Sequence, residues 1–141
     1  MKFSNFLQRR NEMLLIFHCK TIYGTELPYL VPALREQGHW IAVCGDIQEH
    51  DTGYLDNAFL VLSADDREMC MADRNPRSTQ AMLRLLMSRS EAEPRDTLLL
   101  SDAPNELEAA RSLGIPTISP FVFGRLFQTE GTVERVMRYR E

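Results

Sequence analysis

Short runs of consecutive apolar residues alternate along this chain with segments whose apolar residues recur every three or four positions. The runs are Met13 to Phe17 (MLLIF), Trp40 to Cys44 (WIAVC), Ala58 to Leu62 (AFLVL), Thr97 to Leu100 (TLLL) and the shorter Ile115 to Ser119 (IPTIS). Continuous apolar runs of this length predict strands buried on both faces. Between the first two, Thr25 to Gly38 reads as a helix. Leu27, Leu30, Val31 and Leu34 fall at i, i+3, i+4 and i+7, and Gly38 supplies the stop. Pro32 is then expected in the first turn, where amides lack partners anyway. Asn75 and Pro76 open a second helix that runs to about Ser88, with Met82, Leu85 and Leu86 inward. DAPNELEAARSLG predicts a third, with Pro104 near its start, Leu107 and Ala110 on one face and Gly114 just past its end. Val133, Val136 and Met137 mark a closing helix with Thr132 as N-cap.

Strands alternating with helices imply a parallel sheet covered on both sides. In such folds the ligand crevice lies beyond the carboxyl ends of the strands. The residues placed there are His18 to Lys20, Cys44 to Asp46, Ser63 to Asp66, and Ser101 to Glu106.

Length changes this picture little: 141 residues suit one domain, with residues 1–12 as an N-terminal extension and 121–141 as a C-terminal segment and helix. Apolar residues at 44% and charged residues at 26% are ordinary for a soluble protein. The net charge of −4 is spread along the chain and argues against a nucleic-acid partner. Arg135, Arg138 and Arg140 cluster near a helix end and are expected to complement its dipole. No apolar run approaches the roughly 20 residues of a membrane span. The segment MKFSNFLQRRNEM lacks the apolar core of a signal peptide, so the expected location is cytoplasmic.

Cys19, Cys44 and Cys70 are odd in number and lack CxxC spacing, which predicts reduced thiols rather than a disulfide or zinc framework. His39 and His50 offer no metal-ligand spacing and are expected at the surface. Asp65, Asp66 and the loop EHDTGYLD lack the pattern of a calcium loop and are expected to be solvated turn residues.

The most specific stretch is LLLSDAPNELEAARSLGIPTIS. It resembles the fourth motif of the haloacid dehalogenase superfamily: an apolar strand, an acidic turn, then a helix ending in Gly and a short strand. LVLSADD followed by RNPRSTQAMLRLL resembles the third-motif region, and PYLVPALREQGHWIAVC the helix and strand before the second motif. MLLIFHCKTIYGT sits where the first motif, a strand followed by Asp-x-Asp, belongs. The resemblance covers roughly Met13 to Pro120 and implies a three-layer, Rossmann-like α/β domain with a mainly parallel five-stranded sheet. One helix between the first two motifs leaves no room for a cap domain, so the resemblance is to the capless type.

Phosphoryl transfer in that family needs an Asp nucleophile, a second Asp as general acid/base, and Mg²⁺ held by hard oxygen ligands. Carried over by position, the nucleophile site is His18 and the acid/base site Lys20. The Ser/Thr site that grips the phosphoryl group is Cys44. The third-motif lysine falls on Asp73 or Arg74, according to a one-residue choice of alignment. Asp102 keeps its place in the fourth motif, and Glu106 stands where a second Asp is usual. Lys20, with or without Arg74, roughly cancels Asp102 and Glu106, whereas the family's acid-rich set demands a cation. Opposite unit charges in contact attract by about 4 kcal/mol at an effective dielectric near 20. The expectation is therefore that Lys20 pairs with Asp102, that Mg²⁺ and other metals do not bind, and that no cofactor is used.

These residues predict a pseudophosphatase, a catalytically inactive scaffold for binding or regulation. Its crevice is expected to offer Lys20, Arg74 and strand-end amides to a small anionic or phosphorylated ligand. The alternative is a divergent phosphohydrolase or phosphotransferase using His18 or Cys44 in a non-standard site. A third reading is self-association or docking of a protein partner through Pro120 to Phe127 (PFVFGRLF), whose three phenylalanines lie outside the clear core pattern.

Overall fold

The computed structural model describes residues 12–18, 27–44, 60–61 and 76–140. Among the described residues five strands form one sheet: β1 (Leu14–His18), β2 (Trp40–Cys44), β3 (Leu60–Val61), β4 (Thr97–Leu100) and β5 (Thr117–Ile118), in the order β3-β2-β1-β4-β5. Every neighbouring pair is parallel. The central strand β1 is LLIFH, and its first four residues are buried because helices cover both faces of the sheet.

The two faces carry separate cores, set by the alternation of strand side chains. On one face Leu15, Phe17, Ile41, Val43, Leu98 and Leu100 meet helix α1 (Leu27–Glu36) through Val31 and Leu34. The same core takes in Phe123 and Phe127 of α4 (Pro120–Glu130) and Val133 and Val136 of α5 (Val133–Arg140). On the other face Leu14, Ile16, Ala42 and Leu99 meet Met82, Leu83 and Leu86 of α2 (Pro76–Ser90) and Ala109 and Ala110 of α3 (Pro104–Leu113). The result is a three-layer α/β/α domain. Its layering follows from crossovers of one hand: β1 to β2 steps one way across the sheet, whereas β3 to β4 to β5 steps the other way. The helix of the first crossover and those of the later ones must then lie on opposite faces, as they do.

Several local expectations need correction. Pro32 is the sixth residue of α1 and lies in its second turn, not its first. It removes a donor for the Pro28 carbonyl, and its ring lies on the exposed side of the helix. The inward face of α3 is Glu106, Ala109 and Ala110, with Leu107 only half-buried. Leu83, unnoticed in the sequence pattern, is fully buried, while Leu85 is half-buried. His39 is not a surface residue: it is 5% exposed, and its Nδ1 accepts a hydrogen bond from the Met13 amide at 3.0 Å. Burial lowers the imidazole pKa to about 4, so His39 is a neutral acceptor tying the head of β2 to the head of β1.

The segment PFVFGRLF is a helix, α4, that divides its aromatics between core and solvent. Phe123 and Phe127 are buried and stack with ring centroids 5.7 Å apart, while Phe121 and Val122 are exposed. Gly131 ends α4 with φ 83°, and Thr132 caps α5 by accepting the Arg135 amide at 3.2 Å. Arg138 pairs with Glu134 at 3.8 Å within α5, an exposed i,i+4 contact. Among the described residues no helix is long and apolar enough to cross a membrane.

Candidate functional site

The strand order reverses between β1 and β4, because chain progress runs outward from β1 through β2 on one side and from β4 through β5 on the other. Crossovers diverge at that point, and folds of this kind place their ligand crevice beyond the carboxyl ends of the two strands there. His18 closes β1 there, and Ser101, Asp102 and the first turn of α3 follow β4 there. The candidate site is therefore built by topology from residues more than eighty positions apart.

Ser101 is buried and shapes the turn. Its amide continues the sheet by donating to Ile118 at 3.1 Å, and its Oγ accepts the Ala103 amide at 3.0 Å. This side-chain turn replaces a backbone one and lets Pro104 start α3 three residues after Ser101. Pro104 costs nothing there, since a first-turn amide has no helical partner. The helix ends at Gly114 with φ 76°, a left-handed conformation that an L side chain resists.

The short turn delivers two carboxylates to different surroundings. Asp102 is exposed, and its Oδ2 accepts a hydrogen bond from Ser119 Oγ at 3.2 Å, which ties the β4 turn to the end of β5. Glu106 is buried at 7% exposure, with its Oε2 3.6 Å from His18 Nε2. That distance is longer than a hydrogen bond and within the range of an ion pair when the imidazole carries a proton on both nitrogens. The other oxygen, Oε1, is buried and has no hydrogen-bond partner among the described residues. Glu106 stands in the first turn of α3, at the positive end of the helix dipole.

Of the sequence-predicted site residues, His18, Asp102 and Glu106 come together at this crevice. Cys44 ends β2 in register with His18. Lys20, Asp73 and Arg74 lie outside the described residues, as do Asp65, Asp66, His50, Cys19 and Cys70. The expected partner of Asp102 was Lys20; the partner the structure displays is Ser119. The burial of Glu106 and the part played by Ser119 went unread in the sequence. The spacing of Glu106 with Ala109, Ala110 and Leu113 is a helical stripe, so the acid's place on the buried face was available from periodicity. Ser119 carried no signal beyond preceding a proline. No cluster of three or more His, Cys, Asp or Glu side chains suited to a metal ion occurs among the described residues.

No family model matches the chain, and no curated protein does. Among solved structures, an uncharacterized protein from Corynebacterium glutamicum is similar, with 16% identity and a TM-score of 0.59. The match covers 86% of this chain and 96% of that one. What they share is the fold. At this identity the likeness extends to the layered α/β architecture and carries nothing about chemistry.

Proposed function

We propose that the chain is a haloacid-dehalogenase-like domain that has given up phosphoryl transfer and serves as a binding or regulatory module. The observation that carries this reading is the contact of His18 Nε2 with Glu106 Oε2 at 3.6 Å. In the fold type the sequence resembles, the residue at the tip of the first strand is the Asp nucleophile, and the acid in the α3 turn serves the metal. Here the first is an imidazole and the second is turned onto it. An imidazole is a poor ligand for Mg²⁺, which prefers hard oxygens, and a carboxylate engaged with a ring nitrogen is a weakened one. The donor set does not fit the divalent ion that hydrolysis requires.

Binding remains open to such a site. In the sequence Lys20 follows β1 and Arg74 precedes α2, both outside the described residues, and α3 begins beyond the end of β4 with an amino terminus of the kind that favours an anion. The ligand class is small and anionic, with phosphorylated metabolites foremost. Thermal-shift titration with such metabolites, with and without Mg²⁺, tests the reading. A ligand at 100 times its Kd adds about 2.7 kcal/mol of stability. The expected result is stabilisation that is independent of Mg²⁺ and lost in Lys20→Ala. Turnover of any of these esters that requires Mg²⁺ contradicts the reading.

A further inference from the structure

Among the described residues the exposed large apolar side chains are Tyr29, Phe121, Val122 and Tyr139. All four belong to the helices of one layer: Tyr29 to α1, Phe121 and Val122 to α4, and Tyr139 to α5. The described residues of α2 and α3, which form the other layer, contribute none. α4 starts from the carboxyl end of β5 and α1 runs into the amino end of β2, so the two helices follow the parallel sheet in the same direction. They pack on each other, and Gln37, just past α1, donates from Nε2 to the Gly131 carbonyl, just past α4, at 2.8 Å. Their last turns therefore share one end of the layer. Ten and eleven residues long, they also share the other end, where their first turns hold Tyr29, Phe121 and Val122. Beyond Gly131, α5 packs on α4 and carries Tyr139 in its last turn.

Charge on this layer sets the partner. The described side chains that α1, α4 and α5 expose include Arg35, Arg125, Arg135 and Arg138 against Glu36 and Glu134, which makes the face net basic. The whole chain carries −4, so the remainder of the molecule is more acidic than that total. Arginine beside tyrosine and phenylalanine is the composition that protein interfaces concentrate, whereas lysine and acids are scarce there. A basic aromatic face and an acidic remainder are complementary, and every copy carries both.

We propose that this layer is a self-association face, on which the aromatic and arginine side chains of α1, α4 and α5 dock against the acidic surface of a second copy of the chain. The contact is heterologous, because a net basic face does not pair with itself. Each added copy then leaves one face of each kind open, so association continues past the dimer unless the assembly closes into a ring. Neither His18 nor Glu106 takes part, so the inference is separate from the reading of the crevice.

The test is sedimentation velocity of the full chain under reducing conditions, over a wide range of protein concentration at low and at high salt. The expected result is a mass that rises with concentration at low salt, with weaker association at high salt, where exposed charges are screened. Phe121→Ser/Tyr139→Ser and Arg125→Glu/Arg135→Glu each weaken the association by about tenfold or more, with circular dichroism unchanged. A monomer at every concentration overturns the proposal and needs no variant to be read. So does an association indifferent to salt, or one that either double variant leaves at the strength of the parent.

Discussion

Glu106 Oε2 stands 3.6 Å from His18 Nε2, so an acid from the first turn of α3 meets an imidazole from the tip of β1. The two residues come from strands and helices that the chain visits at opposite ends of its course. Only the adjacency of β1 and β4 brings them together. The acid is the more deeply buried partner, with 9% of its side chain exposed against 23% for the histidine. Removing the histidine therefore leaves a buried carboxylate without a side-chain partner among the described residues, whereas removing both leaves an apolar contact.

His18→Leu is expected to destabilise the fold by about 1–3 kcal/mol, the usual cost of stranding a buried polar group. The double variant His18→Leu/Glu106→Leu is expected to recover at least half of that loss, as replaced buried pairs commonly do. Urea unfolding of the four proteins in the cycle checks both values. A double variant less stable than His18→Leu alone would show that the contact is not the reason Glu106 is tolerated inside.

Stability should also depend on His39. Its pKa is lowered by burial from 6.5 to about 4, so above pH 6.5 both folded and unfolded chains hold it neutral and it adds no pH dependence. As pH falls from 6.5 toward 4, the unfolded chain takes up a proton that the folded chain refuses. The penalty grows through that window to on the order of 3 kcal/mol and then levels off. Protonation would also set Nδ1–H against the Met13 amide, two donors facing each other. Urea midpoints measured from pH 7.5 to 4 should fall more steeply for the parent than for His39→Gln. Parallel curves would contradict the assignment.

Two glycines with positive φ should differ in what an added methyl costs. At Gly114, φ is 76° and a new Cβ would meet nothing closer than Pro94 Cβ at 4.0 Å, so only backbone strain of about 1–2 kcal/mol applies. At Gly38, φ is 95° and the Cβ would stand 3.0 Å from Glu12 Oε2. Gly38→Ala should therefore cost more than Gly114→Ala in thermal unfolding. Equal losses would mean that Glu12 swings aside at no cost.

The aromatics of α4 offer a sharper contrast. Phe123 is fully buried and stacked on Phe127, so Phe123→Ala should cost about 3–5 kcal/mol. Phe121 is 57% exposed, and Phe121→Ser should change stability by no more than about 0.5 kcal/mol. Chemical denaturation separates the two outcomes directly. A large loss at Phe121 would reveal a contact made only in solution.

The strands were legible because a strand buried on both faces leaves a run such as LLIF or TLLL that nothing else explains at that length. The helix ends were legible where chemistry marks them, at Pro104, Gly114 and Thr132. What the sequence obscured were residues whose environment is set by distant segments. His39 looks like a polar residue between elements, and only the pairing of β1 with β2 buries it and supplies the Met13 amide. Phe121 and Phe123 look alike in PFVFGRLF, and the helix that separates them depends on how α4 lies against the sheet. Within the site, Asp102 and Glu106 were visible as a pair of acids, but the division of labour between Ser119 and His18 is a tertiary fact.

The central claim is that His18 takes the acid a divalent ion would need. Titration with Mn²⁺, followed by electron paramagnetic resonance of the free ion, tests it most directly, because Mn²⁺ shares the oxygen preference of Mg²⁺. The parent chain is expected to leave the free-ion signal undiminished through millimolar protein. A stoichiometric loss of that signal, restored by Asp102→Asn or Glu106→Gln, would contradict it.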